Sequence, residues 1–140
     1  MAVLSENDRS FWQENGFVII PNAVPQEQLD RTVEALWWFL DMDPNDSNTW
    51  YKYKPYTRDD RCSPISGAGM VEMYQHQALW DNRQHPRIYQ AFSEIWDEKK
   101  LWVSLDRANM KPPARADQPA WGQSGFIHWD VDTSRQPIEF

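Results

Sequence analysis

Leu101-Trp102-Val103-Ser104-Leu105-Asp106-Arg107-Ala108-Asn109-Met110-Lys111, followed by Pro112 and Pro113, alternates apolar and polar residues after a helical N-terminal part. Alternation with period 2 predicts an extended strand in which Leu101, Val103, Leu105, Arg107, Asn109 and Lys111 share one face. That face begins apolar and ends polar. Two prolines, which cannot donate to a β-ladder, close it.

Upstream of Leu101 the period is 3.6, so the chain changes from helix to strand at Lys100. Ser5 followed by Asp8 forms the pattern of a capping box, which opens a helix near residues 5–15 carrying Phe11 and Trp12. Gly16 supplies a left-handed stop. Phe17–Ile20 is a short apolar, β-branched run closed by Pro21 and predicts a buried strand. Pro25 opens a second helix near 25–41, where its missing N–H costs nothing. In this helix Leu29, Val33, Leu36, Trp37 and Leu40 mark the inward stripe. Asp41 to Gly69, rich in Asp, Asn, Ser, Pro and Tyr, has no sustained period and predicts a long irregular connection. A third helix follows Pro86 to about Asp97, with Ile88, Phe92, Ile95 and Trp96 on one face.

Downstream, a Pro, Ala and Gln loop leads to a further strand near 126–132. On it His128, Asp130 and Asp132 fall on one face, with Ile127, Trp129 and Val131 on the other. Residues two apart on one strand face can chelate a single ion. An imidazole with a carboxylate suits Fe(II) in a facial triad of two His and one carboxylate, which leaves coordination positions open for reactants.

Composition narrows the function further. A length of 140 residues fits one domain spanning 1–140. A formal charge of −7 and a pI near 4.8 oppose a role on nucleic acid or an anionic membrane, since both need clustered Lys and Arg. The single cysteine, Cys62, can make no internal disulfide, and with no basic-then-apolar leader the expected location is the cytoplasm. The longest apolar run, Ala35–Leu40, is far below the roughly 20 residues that cross a bilayer. Nine tryptophans are expected to fill a core or an interface before they line a pocket.

Three segments in order carry a resemblance. Phe11-Trp12-Gln13-Glu14-Asn15-Gly16-Phe17-Val18-Ile19-Ile20-Pro21 places a helix, a glycine and a short strand; Asp106 to Pro113 ends a strand in Lys-Pro-Pro; His128-Trp129-Asp130 follows a loop. This arrangement resembles the phytanoyl-CoA dioxygenase family over nearly the whole chain. The resemblance implies an α+β fold, with N-terminal helices packed on part of a double-stranded β-helix of the jelly-roll or cupin type. It implies a non-haem Fe(II), 2-oxoglutarate-dependent dioxygenase that oxidises a small organic substrate. His128 and Asp130 would be iron ligands, and Asn109 and Lys111 would contact the co-substrate. The family's distal histidine and carboxylate-binding arginine lie beyond the motif, whereas this sequence ends ten residues after Asp130. The expectation is therefore an incomplete domain, completed by a longer parent protein or by association with another chain, such as a homo-oligomer, through residues 101–132. The alternative is a non-catalytic binding or assembly module of the same fold.

Other chemistry-bearing residues have plainer readings. Asp132 reads as a solvated or capping carboxylate and Cys62 as an ordinary small side chain. His85, directly before Pro86, reads as a helix-start residue. His76 and His85 both precede the motif and are not assigned to iron, and Arg135 lies too close to it to replace the distal arginine.

Overall fold

The computed structural model describes residues 2–56, 62–122, 127–129 and 134. Helix α1, Glu6–Asn15, starts at the expected capping box: the Asp8 N–H donates to Ser5 Oγ at 3.1 Å. The Ser5 N–H donates to Asp8 Oδ2 at 2.9 Å in return. Gly16, at φ +76°, ends the helix. The next residues do not form the predicted strand. Phe17 folds back so that its ring meets Phe11 edge-on at 5.1 Å, and Ile19 is exposed. A strand persists only as part of a ladder, and no described segment pairs with residues 17–20.

Helix α2, Gln26–Leu40, follows Pro25 and stops at Asp41, whose left-handed backbone donates its N–H to the Trp37 and Trp38 carbonyls. The inward stripe is rotated from the predicted one. Gln28, Ala35, Leu36 and Leu40 are buried, while Leu29 and Val33 are exposed. The cause is a helix that the sequence reading did not assign, α3, Gln77–Arg83. Asn82 Nδ2 donates to Thr32 Oγ1 at 2.8 Å, and Thr32 Oγ1 donates to the Ala78 carbonyl at 3.4 Å, so α3 packs on the Thr32 side of α2.

Both histidines before the motif cap helices. His76 Nδ1 accepts from the Ala78 N–H at 3.2 Å and starts α3. His85 Nδ1 accepts from the Arg87 N–H at 3.3 Å and starts α4, Pro86–Trp96, the role expected of it. No helix of the described residues is long and apolar enough to cross a membrane.

The core lies between these helices and the stretch predicted to be an irregular connection. Leu36 and Leu40 of α2 and Leu79 of α3 meet Ile65, Val71 and Met73, and Trp121 closes the cluster from a 3-10 turn, Pro119–Trp121. The connection is irregular as expected, yet Ser63, Ile65, Ser66, Val71 and Met73 are buried while Cys62 and Met70 stay exposed, so it supplies part of the core. Its backbone is joined by isolated bridges: Tyr56 with Ser66, Ile65 with Val71, and Met70 with Asn109. Among the described residues, the last is the only bridge made by the predicted strand 101–111. Leu101–Asp106 make no ladder, and Trp102, Val103 and Leu105 are exposed. The structure is therefore mostly helical with no sheet among the described residues, in place of the expected β-helix portion.

The N-terminus is tied to α4 by one carboxylate. Glu94, with a side chain 8% exposed, accepts the Val3 and Leu4 N–H groups at 2.9 Å each. Arg9 Nη2 adds an ion pair at 3.1 Å. The two backbone donors lead in holding the Glu94 carboxyl at about 2, against an ordinary value of 4.5. A lowered folded-state pKa means stability that is present above the unfolded value and lost as the pH falls toward the folded one. Glu94→Gln is therefore expected to lower stability by about 1–3 kcal/mol at neutral pH. The gap to wild type should close between about pH 4.5 and 2. Paired thermal melts across that range check it, and a gap that stays constant with pH would refute the assignment.

Candidate functional site

The polar end of the 101–111 segment is built on a close backbone approach. Ser66–Met70 make a tight turn in which the Gly69 N–H donates to the Ser66 carbonyl at 2.9 Å. That turn lies directly on residues 108–111: the Val71 N–H donates to the Ala108 carbonyl at 3.0 Å and the Met110 N–H to the Gly69 carbonyl at 2.9 Å. Gly69 has φ +92°, and a Cβ there would stand 2.7 Å from Asn109 Oδ1 and 2.8 Å from Lys111 Cβ. Only glycine allows this contact.

Two predicted site residues are therefore brought together against one turn. Asn109 Nδ2 donates to the Ala68 carbonyl at 3.0 Å, which fixes the side chain and leaves the second amide hydrogen for another acceptor. Lys111 is half-buried and borders a cavity of about 230 Å³ that Trp37, Met42, Trp50 and Pro112 also line.

A carboxylate cluster that the sequence reading missed sets the register of this segment. Glu72 accepts from Tyr74 Oη at 2.7 Å, from Arg107 Nη1 at 2.9 Å and from the Tyr56 hydroxyl. Arg107 Nη1 also donates to Tyr56 Oη at 3.0 Å, and its guanidinium lies 5.6 Å from the Tyr74 ring centre. Burial pushes the Glu72 carboxyl up, but the hydrogen bonds from Tyr56, Tyr74 and Arg107 outweigh it and hold the group below its ordinary range. Burial, then the bond to Glu72, raises the Tyr56 phenol. The hydrogen bond to Glu72 leads in raising Arg107 further above its already high value. Arg83 braces the same region by donating to the Tyr74 carbonyl at 2.8 Å and to the Asp106 carbonyl. Glu72 and Tyr74 are neighbours two positions apart, but Tyr56 and Arg107 lie 16 and 35 residues from Glu72, and no local pattern links them to it. The one available signal is Arg107, an expensive charge directly after the apolar residues of that face, which needs a partner.

The motif itself is only partly described. His128 is exposed, between Ile127 and Trp129, which are also exposed. Residues 127–129 are not in a strand. Asp130, Asp132 and Arg135 lie outside the described residues, as do the remaining positions of the predicted strand 126–132. Among the described residues no three His, Cys, Asp or Glu side chains gather as a metal site.

Comparison with known proteins gives two relatives to report. No family model matches the chain, and no solved structure matches it significantly. A protein of Dictyostelium discoideum named "Putative phytanoyl-CoA dioxygenase" is 26% identical over 132 residues, 90% of this chain and 37% of its own length. A protein of Aspergillus versicolor named "Ava biosynthesis cluster protein O" is 29% identical over 117 residues, 78% of this chain and 35% of its own length. The chain thus spans about a third of the length of the curated relatives it matches, and one of the two bears a dioxygenase name.

Proposed function

We propose that the chain carries the metal-bearing part of a non-haem Fe(II), 2-oxoglutarate-dependent oxygenase that oxidises a small organic substrate. The observation that carries this reading is the similarity, across 90% of the chain, to the Dictyostelium protein with the dioxygenase name. The sequence features quoted above keep the order of that family.

The donor set suits the metal. His128 is accessible, and an imidazole with a carboxylate two positions on is the borderline donor pair that Fe(II) takes in a facial triad. His128 and Asp130 would hold the ion, together with a third ligand not among the described residues. Bound iron supplies the activation of oxygen. Asn109 and Lys111 have their own tasks. Lys111 offers an ammonium point charge for a co-substrate carboxylate. Asn109, already anchored to the 68–70 turn, offers a fixed amide donor beside it. Glu72 and Arg107 keep both in register by pinning the segment two residues before Asn109.

Anaerobic titration of the chain with Fe(II), then with 2-oxoglutarate in the presence and absence of the metal, tests this. Chelation by the keto acid should make 2-oxoglutarate binding at least about tenfold tighter with the metal, equivalent to some 1.4 kcal/mol. A chain that binds neither Fe(II) nor 2-oxoglutarate would overturn the reading in favour of a non-catalytic binding or assembly module.

A further inference from the structure

One apolar face takes no part in the proposed site. The outer side of α4 and the segment after it enclose an open cleft of about 660 Å³ lined by Ile88, Tyr89, Phe92, Trp96, Leu101 and Val103. Trp102, 99% exposed, belongs to the same lining. An exposed indole of this kind gains nothing from the fold that carries it.

Size and charge together point to what covers this face. Aromatic side chains offer roughly 150–250 Å² each. Tyr89, Phe92, Trp96 and Trp102, at 43%, 53%, 63% and 99% exposure, therefore present on the order of 600 Å². Val103 and Leu105 extend the patch toward the ~800 Å² per partner of a standard interface. That is beyond what monomers ordinarily leave bare. Arg83 to Asp106 holds four basic residues, Arg83, Arg87, Lys99 and Lys100, and four acidic ones, Glu94, Asp97, Glu98 and Asp106. The face is formally neutral, so the whole excess of −7 lies elsewhere. Two copies meeting here bring together stretches without net charge, although each chain carries −7.

An exposed ring in the wall of a largely apolar cleft is also self-complementary, because each copy presents both the ring and the cleft, as a twofold interface requires. We propose that this face binds a second copy of the chain, with Trp102 of each copy entering the α4 cleft of the other. The proposal is independent of the iron reading, since no residue assigned to metal or co-substrate belongs to the face.

Sedimentation velocity on the full chain, from low micromolar to about 100 μM, tests it. Wild type should pass from monomer to dimer, and Trp102→Ser should weaken the association roughly thirtyfold or more, as loss of a central aromatic anchor does. The variant's melting temperature in dilute solution should not move, because the ring is exposed in the monomer. Trp129→Ser, at an exposed tryptophan outside the face, should leave the dimer unchanged. A wild type that stays monomeric at the highest concentration would overturn the proposal, including one whose cleft takes up a small apolar dye instead. So would a dimer that Trp102→Ser leaves intact.

Discussion

Trp121→Ala is expected to destabilise the protein by about 3–5 kcal/mol, as large-to-small changes of buried aromatic residues do. Trp121 is 1% exposed and is the largest side chain among those fully buried. It does not belong to any long helix. A three-residue 3-10 turn carries it, and it closes a cluster assembled from α2, α3 and residues 62–73. Loss of the indole leaves a cavity walled by three separate parts of the chain, which cannot collapse without moving all of them. Domains of this size have only about 5–15 kcal/mol of stability in total, so a large share is at stake. The shift in urea midpoint measures the cost. A loss under about 1 kcal/mol would mean that the loop reaching Trp121 is a peripheral flap, not part of the core. The contrast with Trp102 is instructive: the same residue type contributes several kcal/mol to the fold at one position and nothing at the other, according to burial alone.

The division among the nine tryptophans shows what a sequence can and cannot disclose. Helices α1, α2 and α4 were legible because their signals are local: a serine capping box, prolines at Pro25 and Pro86, and apolar residues recurring every third or fourth position. His85 was legible for the same reason. Helix α3 was not, because seven residues are too few to display a period and its cap is a histidine, an uncommon N-cap. The strands failed on a different ground. Alternation in residues 101–111 records which side chains would share a face, but a strand exists only if another backbone runs alongside it. Ala108 to Met110 find such a neighbour in the Gly69 turn, while Leu101, Val103 and Leu105 find none among the described residues. Asn109 and Lys111, two positions apart in the sequence, lie together against Gly69, and their contact with a co-substrate is part of the proposed function. The Glu72 cluster beneath them depends on three-dimensional neighbours that no spacing announces.

His128→Ala is expected to abolish 2-oxoglutarate turnover in the active protein while leaving its stability almost unchanged. The two halves of that statement rest on different physics. His128 is exposed, and substitutions at exposed positions usually move stability by no more than about 0.5 kcal/mol. An iron ligand is another matter. Removing one of three protein ligands takes away a bond that neither water nor the remaining donors replace at the same geometry, and positioning of the reactants on the metal goes with it. A histidine with a merely structural role would give the opposite pattern, a lowered melt with turnover retained in whatever fraction stays folded. Succinate release and thermal melting, measured on the same preparations, therefore separate the two roles. Undiminished succinate release from His128→Ala would remove His128 from the metal site. If turnover is lost, the Fe(II) affinity of the variant should fall with it, since a ligand acts through the metal before it acts on the reaction.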